Sequence, residues 1–180
     1  MNHRHFHFLL LLISFFTLAC NSSQPPADKA VSPVAEKEVV LERPHYKMNY
    51  YTSWTIDSTD TDYDIDSFFS LNTASNNGTI CFFIFNEAVD EQTHLDAQIQ
   101  AHLEKVIKHG EVTKFDSWGK YKGHGALIRG KILGALKGEV CIFVHSGDSC
   151  SFLNVSQYYN SDRETDLPGL KLIEKSFTLK

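Results

Sequence analysis

Residues 67–86 read SFFSLNTASNNGTICFFIFN, and this stretch decides the fold class. Two aromatic-rich runs flank Ser75-Asn76-Asn77-Gly78. Asn-Gly between such runs is the strongest short-range hairpin signal, because a type I′ turn needs positive φ at both central positions. A turn centred on Asn77-Gly78 pairs Ala74 with Cys81, Asn72 with Phe83 and Leu71 with Ile84. Phe69, Leu71, Phe82 and Ile84 then share one face, and Phe68, Cys81, Phe83 and Phe85 the other. The second run is apolar on both faces, which marks a central strand covered on each side.

Downstream, DEQTHLDAQIQAHLEKVIKHG places Leu95, Ile99, Leu103 and Val106 at helical spacing. Asp90 is suited to cap the start, and Gly110 to end the helix in the left-handed conformation. EVTKFDSW then reads as a strand. GHGALIRGKIL, a break near Gly134, ALKGEVCIFVH, and SCSFLNVSQ beyond Ser146-Gly147-Asp148 read as a three-stranded antiparallel meander. The end, DLPGLKLIEKSFTLK, predicts a short helix from about Leu167 and a last apolar pair, Phe177 and Leu179. Strands, one long helix, more antiparallel strands and a closing helix make an α+β domain: a central antiparallel sheet with one long helix and a C-terminal helix.

This layout resembles the PsbP-like superfamily, which includes DcrB-like envelope proteins and Mog. The resembling features are the hairpin 67–86, the helix 90–109, the meander 122–156 and the terminal Ile173-Glu174-Lys175-Ser176-Phe177, similar to that family's closing helix and its "SF" ending. Trp54 sits near the place of the family's opening tryptophan, without the proline that precedes it there. The resemblance implies an α/β/α sandwich and a non-catalytic adaptor or assembly role.

The N-terminus supplies an address. MNHRHFHF precedes LLLLISFFTLA, the charged start and short apolar core of an export signal, residues 1–19. The run is shorter than the roughly 20 apolar residues that a spanning helix needs. Thr17-Leu18-Ala19-Cys20 resembles a bacterial lipobox, although Thr17 and Leu18 stand where leucine and a small residue are usual. That resemblance implies acylation of Cys20 and a lipid bilayer as partner, and Asn21 in place of aspartate favours the outer membrane. Residues 20–44, with four prolines, read as a disordered tether, leaving 45–180 as one globular domain.

Without the signal, Arg4 is lost and 16 basic against 22 acidic side chains remain, a net charge of −6. This mild acidic balance argues against nucleic acid as a partner and against an electrostatic hold on anionic lipid.

Asp57, Asp60, Asp62, Asp64 and Asp66 suggest a calcium loop, but an EF-type loop counted from Asp60 needs glycine and glutamate where Ile65 and Leu71 stand. A charged edge strand fits better. Gly147-Asp148-Ser149-Cys150 echoes the GDSL hydrolase block, yet no histidine follows His145 to activate the serine. The same residues suit a tight turn.

Of His45, His94, His102, His109, His124 and His145, the pair His102 and His109 is two helical turns apart, about 10.5 Å, too far to share zinc. His124 with His145 on neighbouring strands stays open as a metal pair. Cys141 and Cys150 are expected too far apart along the hairpin for a disulfide, whereas Cys81 with a partner is open and three inert buried thiols are the simplest reading. No catalytic set, metal centre or cofactor is expected. The chain reads as a lipid-anchored, non-enzymatic envelope module with a possible protein partner. The alternative is a small-ligand carrier with a pocket between sheet and helix lined by Phe83, Phe85, Phe143 and Phe152.

Overall fold

In the computed structural model, residues 36–57 and 67–180 are described. The signal, Cys20, the first part of the tether, Tyr63, Ile65, Asp60, Asp62, Asp64 and Asp66 lie outside them.

The central hairpin forms with a different register. β4 (Phe68–Asn72) pairs with β5 (Thr79–Phe85) so that Phe69 faces Phe82, Leu71 faces Ile80 and Asn72 faces Thr79. The expected type I′ turn is replaced by a loop over 73–78 in which Asn76 takes positive φ, and Thr73 N–H donates to the Gly78 carbonyl at 3.0 Å. Leu71 was expected opposite Ile84 and lies opposite Ile80. An offset of four preserves the alternation of side chains, so each residue keeps its expected face.

Around this hairpin runs a seven-stranded antiparallel sheet, in the order β3-β4-β5-β9-β8-β7-β6. β3 (Thr55–Asp57) is one edge; β6 (Ile107–Trp118), β7 (Tyr121–Ile132), β8 (Leu136–Ser146) and β9 (Ser151–Tyr159) follow one another, the strand read from EVTKFDSW joining the three-stranded meander as its outer member. β5 lies inside the sheet, and Ile80 through Ile84 are all buried, as its two-sided apolar pattern requires.

α1 (Glu91–Lys105) starts where the sequence places it, Asp90 accepting the Thr93 N–H at 2.9 Å. It ends earlier: Ile107 already pairs with Ile132, and His109, not Gly110, takes positive φ inside a bulge of β6. Its buried residues are Leu95, Gln98 and His102, with Ile99 and Leu103 half-buried beside them. α1 packs on β6, β7 and β8.

Two features depart further from the sequence reading. Glu38–Glu42, expected in the tether, forms β1, paired antiparallel with β2 (Tyr46–Tyr51), and β10 (Thr178–Leu179) joins β2 on its other side to make a second, three-stranded sheet. The physical reason is in EVVLE: Leu41 is buried, and it packs in one cluster with Tyr46 and Met48 of β2. The closing helix, α2 (Arg163–Ser176), begins before Leu167 and holds Pro168 inside it. Asp166, expected near a helix start, is buried within it and binds the 73–78 loop.

Aromatic rings join the two sheets. Tyr46 of β2 stacks on Phe69 at 4.6 Å, Phe69 on Phe82 at 4.9 Å, and Phe82 on Phe177 at 4.7 Å. Phe177, fully buried, also meets Phe152 at 4.9 Å and Trp118 at 5.7 Å. The preceding Ser176 accepts the Asn49 N–H of β2 at 2.9 Å and donates to the Leu172 carbonyl at 2.7 Å. Gly169 of α2 lets Trp54 lie against the helix backbone, since a Cβ there would collide with the indole.

Phe177→Ala removes a ring shared by both sheets and leaves a cavity. We expect a loss of about 3–5 kcal/mol in chemical denaturation, with Phe177→Leu losing clearly less.

Candidate functional site

The geometry separates residues that the sequence grouped. Partners across an antiparallel ladder share a face. Phe83 faces Leu153 and Phe82 faces Asn154, so successive residues of β5 look to opposite sides. Phe143 and Phe152 belong to the aromatic cluster with Phe82 and Phe177, whereas Phe83 alternates away from it and Phe85 meets His94 of α1 at 5.6 Å. The four phenylalanines proposed to line one pocket are therefore divided between two faces of the sheet and do not line a common cavity.

The histidine pair separates in the same way. His124 Nδ1 meets Glu91 Oε2 of α1 at 2.6 Å, while the His145 ring lies tilted against Tyr121 at 4.8 Å and its Nδ1 meets the Lys122 carbonyl at 2.7 Å. His124 is opposite Val144 in the ladder, so His145 points to the other face. The two cannot bind one ion. Gly147 to Cys150 form the loop between β8 and β9, the turn that these residues suit. Asp57 ends the edge strand β3.

Cys81, Cys141 and Cys150 are free thiols. Cys81 lies opposite Val155, and Cys141 opposite Ser156, the next residue, so their side chains emerge on opposite faces and a disulfide between them is excluded. Burial pushes the Cys81 and Cys141 thiols up to about 12, which removes the thiolate that thiol chemistry needs. Burial raises the half-buried Cys150 as well.

Three carboxylates, the buried Asp166 and Glu139 and the half-buried Glu91, each serve as a fastener. Glu91, at the start of α1, accepts the Ser146 N–H at 2.6 Å through one oxygen and holds His124 through the other. Nearby, the Ser146 hydroxyl accepts the Val89 N–H at 2.9 Å, and Ser151 donates to the Glu87 carbonyl at 2.7 Å. Together these bonds fix the β5–α1 connection against the β8–β9 loop.

Asp166 accepts from Thr73 Oγ1 at 2.9 Å, Ser75 Oγ at 2.7 Å and Ser75 N at 3.1 Å, tying α2 to the hairpin loop. Glu139 accepts from Tyr158 Oη at 2.6 Å, Arg129 Nε at 3.0 Å and Arg163 Nη1 at 3.1 Å. Burial pushes the Glu139 carboxyl up, but the Tyr158 and Arg129 hydrogen bonds and the charges of Arg129 and Arg163 outweigh it, and the net shift is downward.

None of these three fasteners was visible in the sequence. Glu91 and Asp166 join elements far apart along the chain, and the Glu139 cluster depends on the strand register that sets Arg129 and Tyr158 opposite it.

His102 is the buried titratable group of α1. Burial lowers its pKa below the ordinary 6.5, against a smaller opposing effect of the Gln98 carbonyl, which its Nδ1 meets at 2.8 Å. Buried polar atoms with no hydrogen-bond partner include Gln98 Nε2 of α1 and Asn154 Nδ2 of β9.

No family model matches the chain, and no curated protein sequence does. Among solved structures, the chain is similar to LpqN of Mycobacterium tuberculosis, described as involved in cell envelope biogenesis, with 12% identity and a TM-score of 0.50 over 81% of this chain and 92% of that one. A cyanobacterial PsbP, CyanoP of Synechocystis sp. PCC 6803, aligns at 8% identity and a TM-score of 0.46 over 86% and 98% of the two chains. A protein of Bacteroides thetaiotaomicron aligns at 8% and 0.46 over 75% of this chain, which spans 45% of its length. The likeness to LpqN is one of fold: a mixed α+β domain with a large antiparallel sheet and two helices.

Two outcomes follow. A histidine whose folded pKa is depressed favours the neutral form, so its contribution is complete above pH 6.5 and is lost as pH falls from there toward the lowered folded value. Urea midpoints measured between pH 7.5 and 5 should fall, with a smaller slope for His102→Gln. In peptide-mapped alkylation of the folded chain, Cys150 should label first, the half-buried Cys141 more slowly because its thiol is held protonated, and Cys81 only once denaturant is added. Equal rates at all three would contradict the burial described above.

Proposed function

We propose that this chain is a membrane-anchored envelope lipoprotein whose folded body is a non-catalytic binding or assembly module with a PsbP-like α/β/α sandwich architecture. The observation that carries the reading is the use of the fastening carboxylates. Glu91, Asp166 and Glu139 direct their oxygens to Ser146 and His124, to Thr73 and Ser75, and to Tyr158, Arg129 and Arg163, so all three are engaged within the fold. A general base must instead reach the proton of a bound substrate.

The fold likeness to LpqN, a protein described as involved in cell envelope biogenesis, agrees with an envelope setting. Among the described residues no helix is long and apolar enough to cross a membrane. A lipid on Cys20, with the chain to Ala35 as spacer, supplies the attachment in this reading. Two or more acyl chains are needed for stable anchoring. The carrier reading loses its motivation, because its four phenylalanines lie on two faces of the sheet.

Labelled palmitate tests the address: label is expected on the wild-type chain and absent from Cys20→Ala, and an unlabelled wild-type chain would contradict it. Affinity capture from detergent-solubilised envelopes should return a reproducible protein partner. Repeated capture of none would count against the module role.

A further inference from the structure

The β7–β8 hairpin ends in Lys131-Ile132-Leu133-Gly134-Ala135-Leu136-Lys137. Its tip carries two of the most exposed large apolar side chains of the described fold, Leu133 at 45% and Leu136 at 58%. Leu133 has φ of 50° and Gly134 of 74°. A bulky side chain in the left-handed region is unfavourable, so Leu133 is held outward against local preference. Core packing offers no return for that arrangement.

Behind the tip, Lys108 of β6 lies directly opposite Lys131 of β7, which lies directly opposite Lys137 of β8. Like charges at facing positions destabilise a sheet. Among the described residues these three lysines and Lys105 make no ion pair, and Lys108 Nζ meets only a neutral carbonyl, that of Glu104 at 3.2 Å. The neighbouring acids are engaged or lie beyond the row: Glu104 accepts from Gln100, Glu139 is held by Arg129 and Arg163, and the exposed Glu111 faces Arg129.

The tip's backbone is also prepared to leave water. Leu133 N–H donates to the Val106 carbonyl at 2.6 Å, Gly134 N–H to Lys131 at 3.3 Å and Ala135 N–H to Ile132 at 3.0 Å. Such internal partners are what the apolar part of a bilayer demands of the backbone.

We propose that this hairpin tip docks on an anionic bilayer surface, Leu133 and Leu136 entering the headgroup–acyl boundary while Lys108, Lys131 and Lys137 meet lipid phosphates. Charge complementarity selects this occupant. A second copy would bring its own lysine row against this one and repel it. Each lysine close to an anionic leaflet strengthens attachment roughly fivefold, and an acyl chain gains firm hold from such a second contact. The contact requires no acylation at Cys20, so the proposal stands apart from the anchoring reading.

Leu136→Trp turns the tip into a reporter, because the native Trp54 and Trp118 are buried. The full chain carrying it is mixed with vesicles of brominated phosphatidylcholine, with and without phosphatidylglycerol, both with Cys20 intact and as Cys20→Ser. Strong quenching is expected only with phosphatidylglycerol present, in both Cys20 backgrounds. With Lys131→Glu/Lys137→Glu added, affinity for the vesicles should fall roughly tenfold or more while thermal stability is retained. Loss of sedimentation with phosphatidylglycerol vesicles on Cys20→Ser alone would show that the N-terminal lipid and not the tip holds the chain, and would overturn the proposal. Absence of quenching with any vesicle would overturn the proposal and leave an acidic protein surface as the occupant, and quenching indifferent to phosphatidylglycerol and to lysine reversal would overturn it as well.

Discussion

Phe177 is the constraint on which the rest of this structure depends. Its ring is fully buried where three parts of the chain meet, touching Phe82 and Phe152 of the large sheet, Trp118 at the end of β6, and Tyr46 of the small sheet. Offset and edge-on aromatic contacts of this kind exceed simple area burial in worth. Because the ring directly follows α2, seating it also fixes the helix end. Ser176 adds a directional bond to β2, and Thr178–Leu179 extends that strand's sheet. A three-stranded sheet of five-, six- and two-residue strands has little stability alone, so its order derives from this joint.

On the other side of the large sheet the logic is polar as well as apolar. α1 buries Gln98 and His102 beside Leu95. His102 is kept neutral by its surroundings, and Glu91 fastens the helix start to β7 and β8. The three fasteners share a feature: one carboxylate gathers several donors, Glu91 and Asp166 from distant segments, and Glu139 from its cross-strand neighbours Arg129 and Tyr158 together with Arg163 of α2. Rigid joints of this type leave function to the surface, and the hairpin tip of Leu133 and Leu136 with its lysine row is the surface feature that packing does not explain.

Much of the fold was legible because alternation survives errors of register. The faces of β4 and β5 came out correctly although the turn was placed on Asn77-Gly78 and the pairing was displaced, since an even offset leaves parity unchanged. The start of α1 was legible from Asp90, and the apolar end of the chain from Phe177. β1 was not, because Pro33 and Pro44 bracket it and EVVLE is short and half charged; only the presence of Tyr46 and Met48 to cover Leu41 makes it a strand. The closing helix was read from about Leu167, whereas α2 starts at Arg163, holds Pro168 inside it and uses Asp166 in its first turns to reach the loop at Thr73. The pocket of four phenylalanines failed for want of strand order, and the lysine row escaped notice because its members come from three strands while the whole chain is acidic.

The account's central claim is that the small sheet and the large sheet form one cooperative unit through the Phe177 joint. Native-state hydrogen exchange tests it most directly, by comparing the amides of Met48 in β2 with those of Phe82 in β5. The account predicts that both open only with global unfolding, at the same free energy and with the same denaturant dependence. Exchange of Met48 through a separate opening of much lower free energy, with Phe82 still protected, would contradict it.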